Sequence, residues 1–230
     1  MTVIKRIPNP KRLKHGIPYT TLLGNCLANR TLPSKAFGRS ACSLRWKCEP
    51  ISRYCNLNYP NQPVYRLIGF DAGLRDSARF SVARDATDKQ RPHDEEIYPL
   101  RFARWTRGDC SNFCTMLGFP DEHSSCYFCV GMKPHELMGL SPEHYRRIVL
   151  VEAYAQDNLQ TVNGFWRKSR MTDFIRKQGL LPETEVDYIW NRWVAADRIP
   201  PNQGVSAEDI LSTECGEIKK PPGYRIDFYL

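Results

Sequence analysis

The stretch HSSCYFCVGMKPHEL, residues 123–137, places Cys126 and Cys129 three positions apart in a short aromatic loop that leads into a predicted helix. This spacing lets two thiolates bind one metal ion through a tight turn. A tetrahedral zinc site, or the ligand set of a [4Fe-4S] cluster, needs two further cysteines from elsewhere in the chain. The alternative is that reduced cysteines pack here as small apolar side chains.

Cys110, in the segment TRGDCSNFCTMLGFP, is the best candidate for a third ligand. Thr106 as an N-cap and Gly118 as a stop signal predict a helix of about three turns over this segment. A helix N-terminus favours a thiolate, and the short helix and its turn would bring Cys110 back beside the loop.

Cys42, in the segment SACSLRWK, is the candidate for the fourth position, with three cysteines behind it: Cys48, Cys55 and Cys114. His123 and His135 flank the loop and could replace a thiolate as zinc ligands, although a histidine beside a loop is more often exposed. The predicted metal ligands are therefore Cys42, Cys110, Cys126 and Cys129.

The composition is that of an ordinary globular protein, with 230 residues of which 41% are hydrophobic and nine are cysteines. No apolar run approaches the roughly 18 residues needed to span a bilayer, and no apolar segment follows the basic start as it would in a secretory signal. We therefore expect a soluble, cytoplasmic protein with no membrane partner. In that compartment thiols stay reduced, which leaves metal binding, redox chemistry or plain burial as roles for the cysteines.

Positive charge is concentrated in the first quarter of the chain. Residues 1–60 contain eleven Lys or Arg and a single acid, Glu49, a net charge of +10 in a chain whose total is +8. This asymmetry predicts an anionic ligand such as nucleotide phosphates, nucleic acid or an acidic protein surface. The alternative is a solvated basic surface.

An α/β fold is predicted from apolar runs that alternate with amphipathic helices. Residues 64–70 form a short apolar run closed by a turn at residues 71–73, which predicts a buried strand, and IYPLRF predicts another. Trp46 and Trp105 are interpreted as core residues. We divide the chain into an α/β portion at residues 1–140, a helical region at 141–199 and a polar, proline-rich extended tail at 200–230. Ligands of such folds bind at the carboxyl ends of the strands.

Four segments together resemble the phosphoadenosine phosphosulfate (PAPS) reductase family, in particular its compact phage and bacterial members: TLPSKAFGRSACSLRWKCEP, YRLIGFDAGLRDSARF, YPLRFARWTRGDC and SSCYFCVGMKPHEL. They occur in the family's order and cover roughly residues 17–140. The resemblance implies a partial adenine nucleotide alpha-hydrolase-like sheet that binds an adenine nucleotide, with cysteine ligands of a metal or cluster.

Within this resemblance, basic side chains in two of the motifs would contact the phosphate or sulfate oxygens: Arg45, Lys47, Arg75 and Arg79. Arg45 and Lys47 would lie on the same side if their stretch were extended. Asp71 would orient Arg75 or bind a ribose hydroxyl, although capping the turn is the simpler role for it.

The chain departs from the family at three points. No Ser-Gly-Gly-x-Asp-Ser phosphate loop occurs before residue 60, Val130 stands where the family has proline, and Leu74 replaces an acidic residue. The chain therefore looks like the back half of such an enzyme. An upstream subunit could carry the loop, the chain could be a remnant with another role, or Met1 could be an internal start.

We expect a part of a nucleotide-dependent sulfur-transfer or reductase system that does not reduce PAPS by itself, because the loop that grips the phosphates is missing. The alternative is a non-catalytic, metal-stabilised module whose basic N-terminal quarter binds nucleic acid or a partner protein. A third possibility is that the protein binds no metal at all.

Overall fold

The fold was analysed in a computed structural model that describes residues 17–33, 35–36, 39–78, 95–119, 125–199 and 204–217. The chain divides into two compact units. The first unit combines Met1–Ser52 with Ser125–Leu230, and the second unit is Arg53–Ser124. The first unit thus combines an early and a late part of the sequence, whereas the sequence analysis divided the chain into three consecutive segments.

Helices account for most of the described structure. In chain order they are α1 (Leu22–Asn29), α2 (Ala41–Ser43), α3 (Glu49–Asn58), α4 (Pro99–Phe102), α5 (Arg107–Met116), α6 (Pro134–Met138), α7 (Pro142–Ala155), α8 (Met171–Lys177), α9 (Glu183–Val194) and α10 (Ala207–Cys215). A π-helical turn, Leu44–Cys48, follows α2, and a 3-10 turn, Gln156–Asn158, follows α7. Residues 74–78 are also helical.

The strands form two small sheets. β1 (Lys35–Ala36) pairs antiparallel with β2 (Arg39–Ser40). β3 (Tyr65–Leu67) pairs in parallel with β4 (Glu95–Ile97), in the register that sets Tyr65 opposite Glu95. The predicted α/β class is therefore confirmed only in part, because the described residues are mainly helical and form one two-stranded parallel sheet.

Both predicted strands differ from the observed ones. The strand predicted at residues 64–70 is three residues long, and its Leu67 side chain is 72% exposed rather than buried. In IYPLRF only Ile97 belongs to a strand, because Pro99 starts helix α4 and cannot donate a backbone hydrogen bond to a sheet. The apolar composition of these segments predicted that strands form here, but it did not predict how much of each strand is exposed to solvent.

The hydrophobic core belongs to the first unit and is centred on α7. This helix packs against α1, α8, α9 and α10. Its second half, IVLVEAYA, is buried on all sides, as expected for a stretch that is apolar except for Glu152: Ile148, Val149, Leu150, Val151, Ala153, Tyr154 and Ala155 are buried. The Tyr154 ring meets the Trp193 ring of α9 edge to face, with the centroids 5.3 Å apart.

The predicted extended tail at 200–230 is wrong for its middle part, because residues 207–215 form helix α10. Ser206 and Asp209 form a capping box at its start, a local signal that the proline-rich composition obscured. Leu211 and Cys215 of this helix are buried in the core.

Helix α10 also caps the N-terminus of α1. The Glu208 carboxylate accepts hydrogen bonds from the backbone N–H groups of Thr20 and Thr21, at 2.9 and 2.8 Å, and from the Thr21 hydroxyl. A Cβ on Gly24 would collide with this carboxylate, so only glycine permits the approach.

The second unit has little core of its own among residues 53–78 and 95–119. Cys55 is the one buried apolar side chain in these ranges, while Leu74 and Phe102 are each 93% exposed. No helix in the described part of the chain is both long and apolar enough to cross a membrane.

Candidate metal centre

The Cys-x-x-Cys loop is a pair of consecutive tight turns. The Cys129 N–H donates to the Cys126 carbonyl, and the Met132 N–H donates to the Cys129 carbonyl, each at 2.9 Å. The Gly131 N–H donates to Cys129 Sγ at 3.4 Å. This bond fixes the orientation of the Cys129 side chain within the turn.

Aromatic contacts fix this loop against the core of the first unit. Phe128 is buried with its ring centroid 5.7 Å from that of Phe165. The Trp166 indole N–H donates to the Met132 carbonyl at 2.8 Å. The two cysteines are therefore held on a rigid turn rather than on a mobile loop.

Two of the predicted ligands from separate motifs, Cys42 and Cys126, interact electrostatically in the first unit. Burial raises the pKa of Cys126, the Lys47 ammonium lowers it, and the Cys129 and Cys42 thiols raise it. Each of these groups must lie within electrostatic range of Cys126 to act on it. The sequence prediction that Cys42 accompanies the loop is consistent with this arrangement.

Cys26 of α1 joins the same group, although the sequence analysis did not select it. It is 1% exposed, and burial raises its pKa far above the usual range of a thiol, with further contributions from Cys42 and Cys126. We call Cys26, Cys42, Cys126 and Cys129 the four-thiol set. The leucine-rich pattern around Cys26 predicted a core position, so no local signal distinguished it from an ordinary buried cysteine.

The donors of the four-thiol set are of the soft type that zinc and iron–sulfur clusters bind. Burial raises the pKa of Cys126, and the Lys47 ammonium opposes this rise without cancelling it. In the described ranges, no three His, Cys, Asp or Glu side chains are grouped closely enough to hold a metal ion.

Cys110 lies in the second unit, near the start of α5. The predicted cap is confirmed: Thr106 and Asp109 form a capping box. Burial raises the pKa of Cys110, Asp71 and Cys114 add to the rise, and Arg107 opposes it. All three of these groups belong to the second unit, and the inclusion of Cys110 among the ligands stays a prediction.

The extended stretch that would align Arg45 with Lys47 is not observed. Their stretch is helical from Ala41 onwards, and side chains two positions apart on a helix do not face each other. Lys47 lies near the Cys126 thiol instead. Both belong to the first unit, whereas Arg75 belongs to the second and Arg79 lies outside the described residues, so their convergence on one anion stays a prediction.

Asp71 takes the structural role in the turn after β3. Its Oδ1 accepts the Gly73 N–H at 2.7 Å, and its carbonyl accepts a hydrogen bond from Arg101 Nη1 at 2.9 Å. Arg75 is exposed in the helical residues 74–78 that follow. Arg101 also donates to Ser77 Oγ at 3.2 Å, a second contact to the turn that the sequence analysis did not predict.

A shallow pocket of about 480 Å³ adjoins this turn within the second unit. It is lined by Arg104, Trp105, Asp109, Asn112, Phe113 and Met116. The Ala72 N–H donates to the Trp105 carbonyl at 2.7 Å, which ties the pocket to the carboxyl end of β3. Trp105 is therefore half-buried beside a cavity rather than part of a core as predicted.

Of the two histidines beside the loop, His135 is exposed and His123 lies outside the described residues. Comparisons with protein-family models, with curated proteins and with solved structures give no match to this chain. The resemblance to PAPS reductases accordingly stays a prediction from four sequence motifs.

Proposed function

We propose that the chain is a PAPS-reductase-like protein of the adenine nucleotide alpha-hydrolase-like superfamily, and that it binds zinc or a [4Fe-4S] cluster through cysteines. The observation that supports this most is the four-thiol set. Cys42 and the Cys126–Cys129 pair come from motifs more than 80 residues apart in the sequence, yet both the Cys42 and the Cys129 thiols act electrostatically on Cys126. A reducing compartment such as the cytoplasm would keep these thiols available for a metal.

The bound metal or cluster would cross-link the segments that carry its cysteines and so stabilise the first unit. Around it, the Gly131 N–H and the Lys47 ammonium would compensate the negative charge of the thiolates. These are contributions of the chain itself, and they apply equally to zinc and to a cluster.

The pocket of the second unit is the proposed site for an adenine nucleotide or a related anion. Arg104 lines it and Arg75 is exposed on the neighbouring helix, and guanidinium groups match phosphate and sulfate oxygens. The Trp105 ring offers a surface for a base. The site adjoins the end of a parallel strand, where ligands of α/β folds bind.

Turnover in a sulfur-transfer or reductase system would require a phosphate loop, which we propose is supplied by a partner subunit. The N–H groups of such a loop hold nucleotide phosphates in a way that side chains do not reproduce. We therefore propose a role within a system rather than PAPS reduction by this chain alone.

A non-catalytic, metal-stabilised module is the second candidate, and one observation favours it. Cys26 is buried in the core of the first unit, and Cys126 and Cys129 pack against that core. A metal at that position would act mainly by stabilising the fold. The basic N-terminal quarter would then bind nucleic acid or a partner protein.

Two measurements on anaerobically purified full-length chain test the proposal. Zinc, iron and sulfide are quantified for the wild type and for Cys126→Ser/Cys129→Ser, with Cys48→Ser as a control because Cys48 is exposed. We expect near-stoichiometric metal in the wild type and the control, and none in the double variant. Absence of metal from the wild type would refute the metal site.

Binding of adenosine 3′,5′-bisphosphate by calorimetry tests the anion site. Loss of a charged hydrogen bond costs about 1.5–3 kcal/mol, so Arg104→Ala should weaken binding by roughly 10–100-fold. Arg198→Ala removes an exposed arginine of the first unit and should leave the affinity unchanged. If the chain bound metal but no nucleotide, the non-catalytic module would be favoured. An equal loss of nucleotide affinity in both variants would refute the assignment of this pocket.

A further inference from the structure

Cys126 and Cys129 occupy the two ends of one hydrogen-bonded turn. The Cys129 N–H donates to the Cys126 carbonyl at 2.9 Å, which is the bond between the fourth and first residues of a β-turn. Such a turn brings the Cα atoms of its end residues within about 7 Å of each other. Disulfides usually join Cα atoms that are roughly 4.4–6.8 Å apart. The backbone of the turn therefore sets the two cysteines at a separation from which a disulfide can form.

The two residues inside the turn hold it in place. Phe128 is buried, with its ring centroid 5.7 Å from that of Phe165. The Tyr127 ring lies 4.3 Å from the His144 ring of α7, measured between centroids. Because these contacts fix the turn, the two thiols do not have to be gathered from a loose loop when a bond forms between them, and little conformational entropy is lost.

The pair is also within reach of small reagents. Cys126 and Cys129 are each partly exposed, whereas Cys26 and Cys215 of the same unit are each 1% exposed. Thiol–disulfide exchange depends on such access to the sulfur. A disulfide needs only two thiols, whereas a tetrahedral metal site needs further ligands. The geometry of this one turn is therefore sufficient for the redox chemistry of a thiol pair.

We propose that Cys126 and Cys129 form a redox-active dithiol that exchanges with low-molecular-weight disulfides, of which oxidised glutathione is the probe. One protein thiolate attacks a sulfur of the small disulfide, which forms a mixed disulfide and releases one thiolate. The second protein thiolate attacks the mixed disulfide, which closes the Cys126–Cys129 bond and releases the other thiolate. The pair is oxidised by two electrons, the small disulfide is reduced to two thiols, and the two protein protons pass to the released thiolates.

This inference goes beyond the metal of the proposed function and does not depend on it. A sulfur in a disulfide no longer offers the thiolate that a metal requires, so the oxidised and metal-bound states of the turn exclude each other. In a chain that binds metal, oxidation of the pair would release it. Absence of metal from the wild type would not touch this inference, and absence of the disulfide would not touch the metal site.

The test uses the full-length chain, freed of metal with a chelator and equilibrated with mixtures of reduced and oxidised glutathione. Remaining thiols are trapped with N-ethylmaleimide, and peptide mass spectrometry locates every disulfide. We expect a Cys126–Cys129 disulfide whose fraction is the same whether the reduced or the oxidised chain is the starting material. The exposed Cys48, which has no cysteine three positions away, should carry only glutathione.

Three outcomes would overturn the proposal. The first is that no Cys126–Cys129 disulfide forms at any glutathione ratio. The second is that glutathione stays on both cysteines without a bond between them. The third is that Cys126 pairs with a cysteine outside the turn, such as Cys42.

Two comparisons isolate the contribution of the turn. In Cys126→Ser and in Cys129→Ser the remaining thiol should keep a mixed disulfide with glutathione, because no second thiol displaces it, whereas Cys48→Ser should match the wild type. The same titration of the wild type in urea does not depend on whether a variant folds. The equilibrium constant for closing the disulfide should fall at least about tenfold when the turn unfolds, since the effective concentration of one thiol near the other drops. Equal constants in the folded and unfolded chain would refute the role of the turn.

Discussion

Replacement of Glu152 by glutamine should destabilise the first unit strongly, because this buried carboxylate organises the chain between α7 and α8. Its Oε1 accepts the N–H groups of Phe165 and Met171, at 2.7 and 3.0 Å. Its Oε2 accepts the Thr172 N–H at 2.9 Å and the Thr172 hydroxyl at 2.7 Å. Glu152 is 0% exposed, so water cannot replace any of these bonds.

The size of the effect follows from counting donors. In the better orientation, the glutamine carbonyl keeps the bonds from Phe165 and Met171, and its NH2 group faces Thr172. The Thr172 hydroxyl can turn to accept, but the Thr172 N–H loses its partner at a cost of about 1–3 kcal/mol. The two remaining bonds become neutral and lose about 1 kcal/mol each, partly offset because no charge is buried. We expect Glu152→Gln to lower the free energy of unfolding by about 3 kcal/mol.

Gly164 shows how closely the chain approaches this carboxylate. A Cβ on Gly164 would lie 2.6 Å from Glu152 Oε1 and 2.7 Å from the Arg170 Cα. The loop has no room to shift and find other acceptors, so the lost bond is not recovered by relaxation. For this reason we expect the loss of unfolding free energy to lie in the upper part of the range that single substitutions usually cause.

The assay is urea unfolding of the full-length chain followed by circular dichroism, with Glu208→Gln as the matched control. Glu208 also accepts three hydrogen bonds, but its site is partly open to water, which can satisfy released donors. The control should cost about 1 kcal/mol. A cost below 1 kcal/mol for Glu152→Gln, or equal costs for both variants, would refute the reasoning.

Three further predictions concern acid stability, local opening and thiol reactivity. Burial, together with the nearby Arg147 charge, lowers the pKa of His144 to about 4. The unfolded chain therefore binds this proton at a higher pH than the folded chain does. The contribution of neutral His144 to the free energy of unfolding is fully present above about pH 6.5 and decreases as the pH drops towards 4. In His144→Gln the midpoint of urea unfolding should decrease less steeply as the pH falls, whereas His135→Gln, at an exposed position, should leave the pH dependence unchanged. The same slope in both variants would show that His144 is not the residue responsible. Amides of the second unit should exchange with deuterium faster than those of α7, because few apolar side chains of the second unit are buried. Equal protection of both regions from exchange would mean that the second unit has a core that the described residues do not account for. Brief iodoacetamide treatment near neutral pH, mapped by mass spectrometry, should label the exposed Cys48 well before the buried Cys26, whose pKa burial raises; equal labelling would disprove that burial.

Helices with strong local signals could be predicted from the sequence. Helix α7 begins at Pro142 after Ser141, and α5 begins after the Thr106 cap, as predicted. These starts depend on residues within one turn of each other, so no tertiary information is needed. Helix α10 was missed although it has the same kind of signal, because the surrounding prolines dominated the interpretation of the tail.

Positions that depend on tertiary packing could not be predicted in the same way. The apolar run at residues 64–70 has strand composition, but its exposure depends on what else covers the sheet. Arg45 and Lys47 alternate as in a strand, yet they lie in a π-helical turn. Cys26 has the local pattern of any core cysteine, and only the folded chain brings it near Cys42 and Cys126.

The location of the ligands decides which part of the fold a metal would stabilise. A structural zinc ion bound by thiolates contributes about 10–16 kcal/mol, comparable to or above the 5–15 kcal/mol that stabilises a typical domain. Cys42, Cys126 and Cys129 all belong to the first unit, so most of this free energy would act on the unit that already has the large core around α7. With Cys110 as the fourth ligand, part of it would act on the second unit, in which Cys55 is the one buried apolar side chain among residues 53–78 and 95–119. The second unit would therefore gain more from a ligand at Cys110 than the first unit would, and without such a ligand its order has to come from its own hydrogen bonds and from whatever it binds.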